Sequence, residues 1–317
     1  MVPGARGHYT PGMAFSGERS SALCIAVVGP GGVGSMFAYH LSRAGHDVTV
    51  VARPGSTRLA QLRRDRGIVR TSNDRADTAV ADALDEQVAY DLVIVTTPAH
   101  QAAAVLPALA RSKARRVQFM FNVFDPERLR DAVGADRASF GMPFVRATVN
   151  QAGALDAKFN PGQRTLHGER RWADVFSAAG VPSAFEPEMM LWLRCHVPLC
   201  VAFESIAIAG QRRGGGATWS ESNLVARGMR DAFAIVRGLG DRLYPSSKAI
   251  VSSVPTVFVA CLLWLLSRVA SFRALLARGA GECRALIDAM VDAASAAKLP
   301  ALPSALLAIR PAQEPRP

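Results

Sequence analysis

A glycine-rich turn, Gly29-Pro30-Gly31-Gly32-Val33-Gly34, follows directly on the β-branched run Leu-Cys-Ile-Ala-Val-Val at residues 23–28. Such a run ending in such a turn predicts a buried parallel strand that passes abruptly into a helix. The helix is expected over residues 35–44, where Met36, Phe37, Tyr39 and Leu41 supply apolar positions and Gly45 suits the stop. A second strand is expected at residues 48–51, which completes a βαβ unit within about thirty residues.

Each glycine in the turn has a physical task. Gly29 allows the tight bend, Gly31 lets the backbone approach a pyrophosphate, and Gly34 lets the helix pack closely on the strand. The amides of Gly31, Gly32 and Val33 and the positive end of the helix dipole would then bind phosphate without a charged side chain. The turn is therefore read as the phosphate loop of a dinucleotide site. Which dinucleotide is decided after the second strand, where an NAD site places an acid for the ribose hydroxyls. Here the chain reads Val51-Ala52-Arg53, and Arg53 can pair with a 2′-phosphate, so NADP is expected. The plainer reading of Arg53 is a solvated arginine in an arginine-rich chain.

Residues 91–97 and 116–122 are two further apolar runs of strand length, separated by a helix-like stretch at 101–110. Thr97, Pro98, Gln101 and Asn122 lie just past their carboxyl ends, on the side where open α/β sheets hold ligands. Asn122 would also serve as a turn or capping residue. Another strand is expected at 140–150, with turns and short antiparallel strands over 152–170. Beyond Glu188 the pattern becomes helical, at 189–210, 221–238, 254–266 and 281–297.

The expected architecture is thus α/β: a Rossmann-type parallel sheet over residues 22–187 followed by a mainly α-helical domain over 188–309, with a ligand cleft between them. Residues 1–21 and 310–317 read as a disordered leader and tail. The apolar run at 254–266 is too short for a bilayer span and is expected to be a buried core helix, so membrane association is not expected, although Trp264, Arg268 and Arg273 would suit an interface. The net charge of +11 comes mainly from scattered arginines without interleaved aromatics, which argues against nucleic acid. Five cysteines, at 24, 195, 200, 261 and 283, form no C-x-x-C pair, which suggests a reducing cytoplasmic compartment; Cys195 and Cys200, beside His196 in an apolar run, lack the spacing of a zinc site and are read as buried free thiols, so no metal is expected.

In these residues the chain resembles the ketopantoate reductases, NADP-dependent enzymes that reduce 2-dehydropantoate to pantoate. The resemblance runs through the glycine loop, Arg53, the Thr96-Thr97-Pro98-Ala99-His100-Gln101 segment, Asn122, a helix entered through Trp192, and the Arg278-Gly279-Ala280-Gly281-Glu282 segment before the last long helix. It implies that Glu282 matches the family's ligand-binding glutamate. It also exposes departures: Arg194 stands where the family has its catalytic lysine, Pro198 and Ala202 where it has asparagines, and Pro98 where it has a lysine.

The expected function is NADP-dependent reduction of a small 2-keto-acid-like substrate, with Arg194 clamping a carboxylate or stabilising the oxyanion and Glu282 binding ribose or a substrate hydroxyl; the plainer reading of Glu282 is the exposed acid of a first helical turn. A guanidinium stays protonated and cannot readily give up the proton that the reaction needs. The alternatives are a degenerate NADP-binding sensor or interaction protein on the same scaffold, and a peripheral membrane reductase docking through residues 254–273. A homodimer is also expected. His196 is read as a core or capping histidine, because two positions along a helix it points away from Arg194.

Overall fold

A computed structural model of the protein describes residues 22–300 and 303–312. The leader expected at 1–21 and the end of the expected tail, 313–317, lie outside them. The first part of the chain alternates strands and helices: β1 (Cys24–Val28), α1 (Gly32–Arg43), β2 (Asp47–Val51), α2 (Thr57–Asp65), β3 (Gly67–Val69), β4 (Arg75–Asp77), β5 (Ala79–Ala81), β6 (Leu92–Val95), α3 (Ala99–Ala102), α4 (Leu106–Arg111), β7 (Val117–Met120), α5 (Pro126–Val133), β8 (Ala138–Met142), β9 (Val145–Val149), β10 (Leu155–Phe159), β11 (Thr165–His167), α6 (Arg170–Ala178) and β12 (Ser183–Phe185). Helices follow: α7 (Met189–Arg212), α8 (Trp219–Gly238), α9 (Ser246–Ser253), α10 (Thr256–Leu266), α11 (Ala270–Leu276), α12 (Ala280–Ala296) and α13 (Ser304–Ala308).

The main sheet has the order β12-β11-β8-β7-β6-β1-β2-β5. From β8 to β5 every neighbouring pair is parallel, while β11 runs antiparallel to β8. The order of the six parallel strands reverses beside β1, which opens a crevice at the carboxyl ends of β1 and β6. Strand β1 is apolar throughout because both its faces are covered. Ile25 and Val27 pack with Phe37, Leu41 and Phe176, and Ala26 and Val28 with Val93, Phe119 and Leu129.

Prolines explain two departures from the expected elements. The helix expected over 101–110 is interrupted between α3 and α4, because the Pro107 ring would meet the carbonyl of Ala103 in a continuous helix. The strand expected over 140–150 is divided at Pro143: β8 stays in the main sheet, and β9 leaves it to pair antiparallel with β10 over helix α1. Helix α7, in contrast, runs through Pro198. Burial of Leu193, Val197, Val201 and Ile206 on that helix contributes about 1.5–3 kcal/mol each. Together they exceed the ~3 kcal/mol that an interior proline costs.

Helix α7 is also the one helix among the described residues that is long and apolar enough by composition to cross a membrane, and 61% of its most apolar window is buried inside the protein. It is the central helix of the second domain, packed by α8, α11 and α12. The expectation of a buried helix at 254–266 is corrected. Of the eleven residues of α10 only Ala260 and Leu263 are buried, because the helix lies along α8 by one edge and is bent 102° from α9. All five cysteines are unpaired: Cys195 and Cys283 are buried, Cys24 and Cys200 are half-buried, and Cys261 of α10 is exposed.

Candidate active site

The glycine loop stands at the reversal of the sheet. Gly29 has φ +89°, and a Cβ there would lie 2.5 Å from Thr97 Oγ1, so both conformation and space require glycine. A Cβ at Gly34 would lie 2.5 Å from the carbonyl oxygen of Gly29 and from Thr96 Oγ1, which is the close approach of α1 to β1. Gly32 is different: a Cβ there would overlap the Ala147 carbonyl of β9, so this glycine serves the hairpin.

At Gly31 a Cβ would meet nothing within 4 Å. Gly31 is the N-cap of α1, and no side chain caps the first turn. Open space thus faces uncapped amides at a helix N-terminus, and a dinucleotide pyrophosphate fits that cradle. Pro30 and Val33 complete the loop. Pro30 is buried, and its carbonyl accepts from Ser35 Oγ (2.9 Å) and Arg58 Nε (3.0 Å). Arg58 also donates to Ser35 Oγ and to the Gly153 carbonyl, which ties α2 and the β9–β10 turn to the underside of the loop. Arg53, just past β2, is exposed, and Thr97 follows β6. Gln101 lies on α3, its amide Nε2 3.1 Å from His100 Nε2.

Across the crevice stand α7 and α12. Asn122, after β7, donates from Nδ2 to Glu282 Oε1 (3.2 Å) at the start of α12, and its Oδ1 accepts from Cys200 Sγ (3.3 Å) on α7. The structure thus brings together Asn122 from the end of the sheet and Glu282 from the start of α12, a pairing the sequence did not indicate. His196, Cys200 and Glu204 follow at four-residue steps, which keeps them on one face of α7, within an arc of about 80°. Glu204 is buried, and its Oε2 has no hydrogen-bond partner. Burial raises the Glu204 carboxyl well above the usual range, and the nearby charge of Glu282 adds to this. Burial also raises Glu282, against the hydrogen bond from Asn122, which favours its ionised form.

Arg194 is turned about 160° from His196 around the helix axis. Its Nη1 donates to Asp241 (2.5 Å), its Nη2 to Glu127, and its Nε to the Phe124 carbonyl (3.2 Å). This corrects the expectation that Arg194 is available to a substrate. Its guanidinium is already engaged on every nitrogen, and the α7 residues that meet Asn122 and Glu282 are Cys200 and Glu204. Pro198 and Ala202 are both buried in the second domain.

Lys248 of α9 was also missed by the sequence reading. It is buried, donates from Nζ to the Trp192 carbonyl (2.8 Å) and sits 3.7 Å over the Trp192 ring. Burial brings its pKa down to about 8. The His196 ring lies against the same Trp192 ring, with centroids 4.4 Å apart and planes tilted by 31°. The polar positions four apart in an otherwise apolar helix would have pointed to Cys200 and Glu204. No sequence signal marks Arg58 or Lys248.

A parallel sheet reversing at a glycine loop, followed by a helical region packed across the crevice, is a Rossmann-type arrangement, in which ligands are held at the carboxyl ends of the strands. Residues 25–170 match the family model described as ketopantoate reductase PanE/ApbA. A 2-dehydropantoate 2-reductase of Vibrio cholerae is 27% identical over 188 residues, which cover 55% of this chain and 60% of the relative. The match thus spans about three fifths of that relative's length.

Among solved structures, a PanE/ApbA family ketopantoate reductase from Ralstonia eutropha superimposes with a TM-score of 0.68 at 18% identity, covering 90% of this chain and 95% of the other. D-mandelate dehydrogenase in complex with NADH gives 0.65 at 16% identity, covering 91% and 97%. These likenesses carry the fold of both domains, including the helical part beyond the family match.

Proposed function

We propose that the chain is an NADP-dependent reductase of a small carbonyl compound of the 2-keto-acid type. The observation that carries this reading is the open, uncapped cradle at Gly31, set at the sheet reversal and followed after β2 by Arg53 in place of an acid. The bound nicotinamide would supply hydride. The protein's own residues have two tasks: to orient the carbonyl in the crevice near Asn122, and to deliver a proton to the oxygen that gains charge. Glu282 is the proton donor in this reading, because burial holds its carboxyl protonated to higher pH and Asn122 fixes its position. Asn122, Thr97 and Gln101 line the cofactor and substrate side of the crevice. A cytoplasmic homodimer is part of the same reading.

The test is a fluorescence titration with NADPH and NADH on the wild type and on Arg53→Ala. Tighter binding of NADPH that weakens selectively in the variant supports the reading. Binding of neither nucleotide overturns it, and NADH preference unchanged by the substitution overturns the choice of cofactor.

A further inference from the structure

Helix α10 is an apolar helix with little to cover it. Its sequence, Thr-Val-Phe-Val-Ala-Cys-Leu-Leu-Trp-Leu-Leu, contains no charge, and only Ala260 and Leu263 turn inward. Phe258 is 65% exposed and Leu262 53%, figures that belong to surface positions. Of nine exposed large apolar side chains among the described residues, seven fall between Ile250 and Leu275. An apolar patch gathered in one place on a water-facing surface marks a docking site.

The surroundings indicate what docks there. No acidic residue occurs between Asp241 and Glu282 in the sequence. Arg268 and Arg273 follow the helix, with Arg268 stacked 3.4 Å over the Trp264 ring. From the neighbouring α8, Arg230 donates to the Val254 carbonyl and Arg237 to Ser252 Oγ, which brings two more cations to the same rim. The acids that α8 carries are occupied: Glu221 pairs with Arg213 and Thr218, and Asp231 accepts from the amides of Ala305 and Leu306.

An apolar helix face with a basic rim and a tryptophan at its edge is the composition that lies in the interface of an anionic bilayer. A second copy of this chain would bring a basic rim against a basic rim. We propose that α10 is a peripheral membrane-docking helix that inserts Phe258, Leu262 and Leu265 among anionic phospholipids, with the rim arginines on the headgroups.

The experiment is co-sedimentation of the full chain with two sets of vesicles, phosphatidylcholine alone and phosphatidylcholine with about 30% phosphatidylglycerol, at low and high salt. A Phe258→Ser/Leu262→Ser double variant is compared after its melting temperature has been shown to match the wild type. The expected result is binding to the anionic vesicles, weakened by salt and by at least about tenfold in the double variant. Wild type left in the supernatant with anionic vesicles overturns the proposal, as does equal binding of the double variant. A concentration-dependent dimer abolished by the same two substitutions, without vesicle binding, assigns the face to a second copy and also overturns it.

Discussion

The Cys200 thiol lies 3.3 Å from Asn122 Oδ1, so the middle of α7 in the second domain meets the end of β7 in the first. Arg194, the residue expected from the family resemblance to act on the substrate, lies on another face of the same helix and is held by Glu127 and Asp241. Arg194→Lys is therefore expected to leave 2-keto-acid reduction where it was, measured as kcat/KM over a substrate panel. Arg194→Met is expected to cost about 1–3 kcal/mol in denaturant unfolding, less than a fully buried pair because Glu127 is 40% exposed. A gain of turnover in the lysine variant would show that this face does reach the substrate.

Two adjacent glycines should respond in opposite ways. Gly31→Ala places a methyl in open space at ordinary φ, so the fold should be unaffected while NADPH affinity drops by about tenfold or more, since the methyl occupies the pyrophosphate cradle. Gly32→Ala pushes against the Ala147 carbonyl and should lower stability by about 1–3 kcal/mol. Paired melting curves and nucleotide titrations separate the two, and equal loss of affinity with no loss of stability in both would contradict the assignment.

A proton donor works only while it holds its proton. With the Glu282 pKa raised by burial, turnover should decline as the pH rises through that raised value. Glu282→Gln should lose about 10²–10⁴ in kcat and show no such limb in its pH–rate profile. A profile unaltered in shape would assign the proton to another group.

His167 is fully buried between Gln118 Nε2 (3.1 Å) and Ser183 Oγ (3.3 Å), and burial lowers its pKa to about 3. Below pH 6.5 the unfolded chain takes up a proton that the folded chain refuses until about pH 3, so stability falls as the pH falls through that window. At pH 5 the loss is about 2 kcal/mol relative to pH 7.5. His167→Asn removes this contribution, and its unfolding free energy should change less between the two pH values than that of the wild type.

The parallel core was readable because its signals are local. A strand, a glycine turn and a helix must be contiguous to work, and β1, α1 and β2 come out where their residues place them. Asn122 and Glu282 were readable as members of motifs. What was not readable depends on rotation and on neighbours. Two residues along α7 change which side chains meet the crevice, and a motif spacing anchored on Trp192 led to Arg194 rather than to Cys200 and Glu204. The apolar composition of α10 could not reveal that its neighbours leave most of it uncovered. Lys248 became visible only once α9 was folded over Trp192.

The Arg194 clamp reaches beyond its own stability. Glu127 belongs to α5 of the first domain and Asp241 to the loop after α8 of the second, and one guanidinium holds both. Asn122 and Glu282 join the same two domains at the crevice. The Arg194 cluster and the Asn122–Glu282 contact are therefore two separate ties between the sheet and the helices, with Met189, Trp192 and Leu193 of α7 packed into the sheet-side core between them. The arginine thus serves as a clasp between sheet and helices, set on the side of α7 turned away from the crevice.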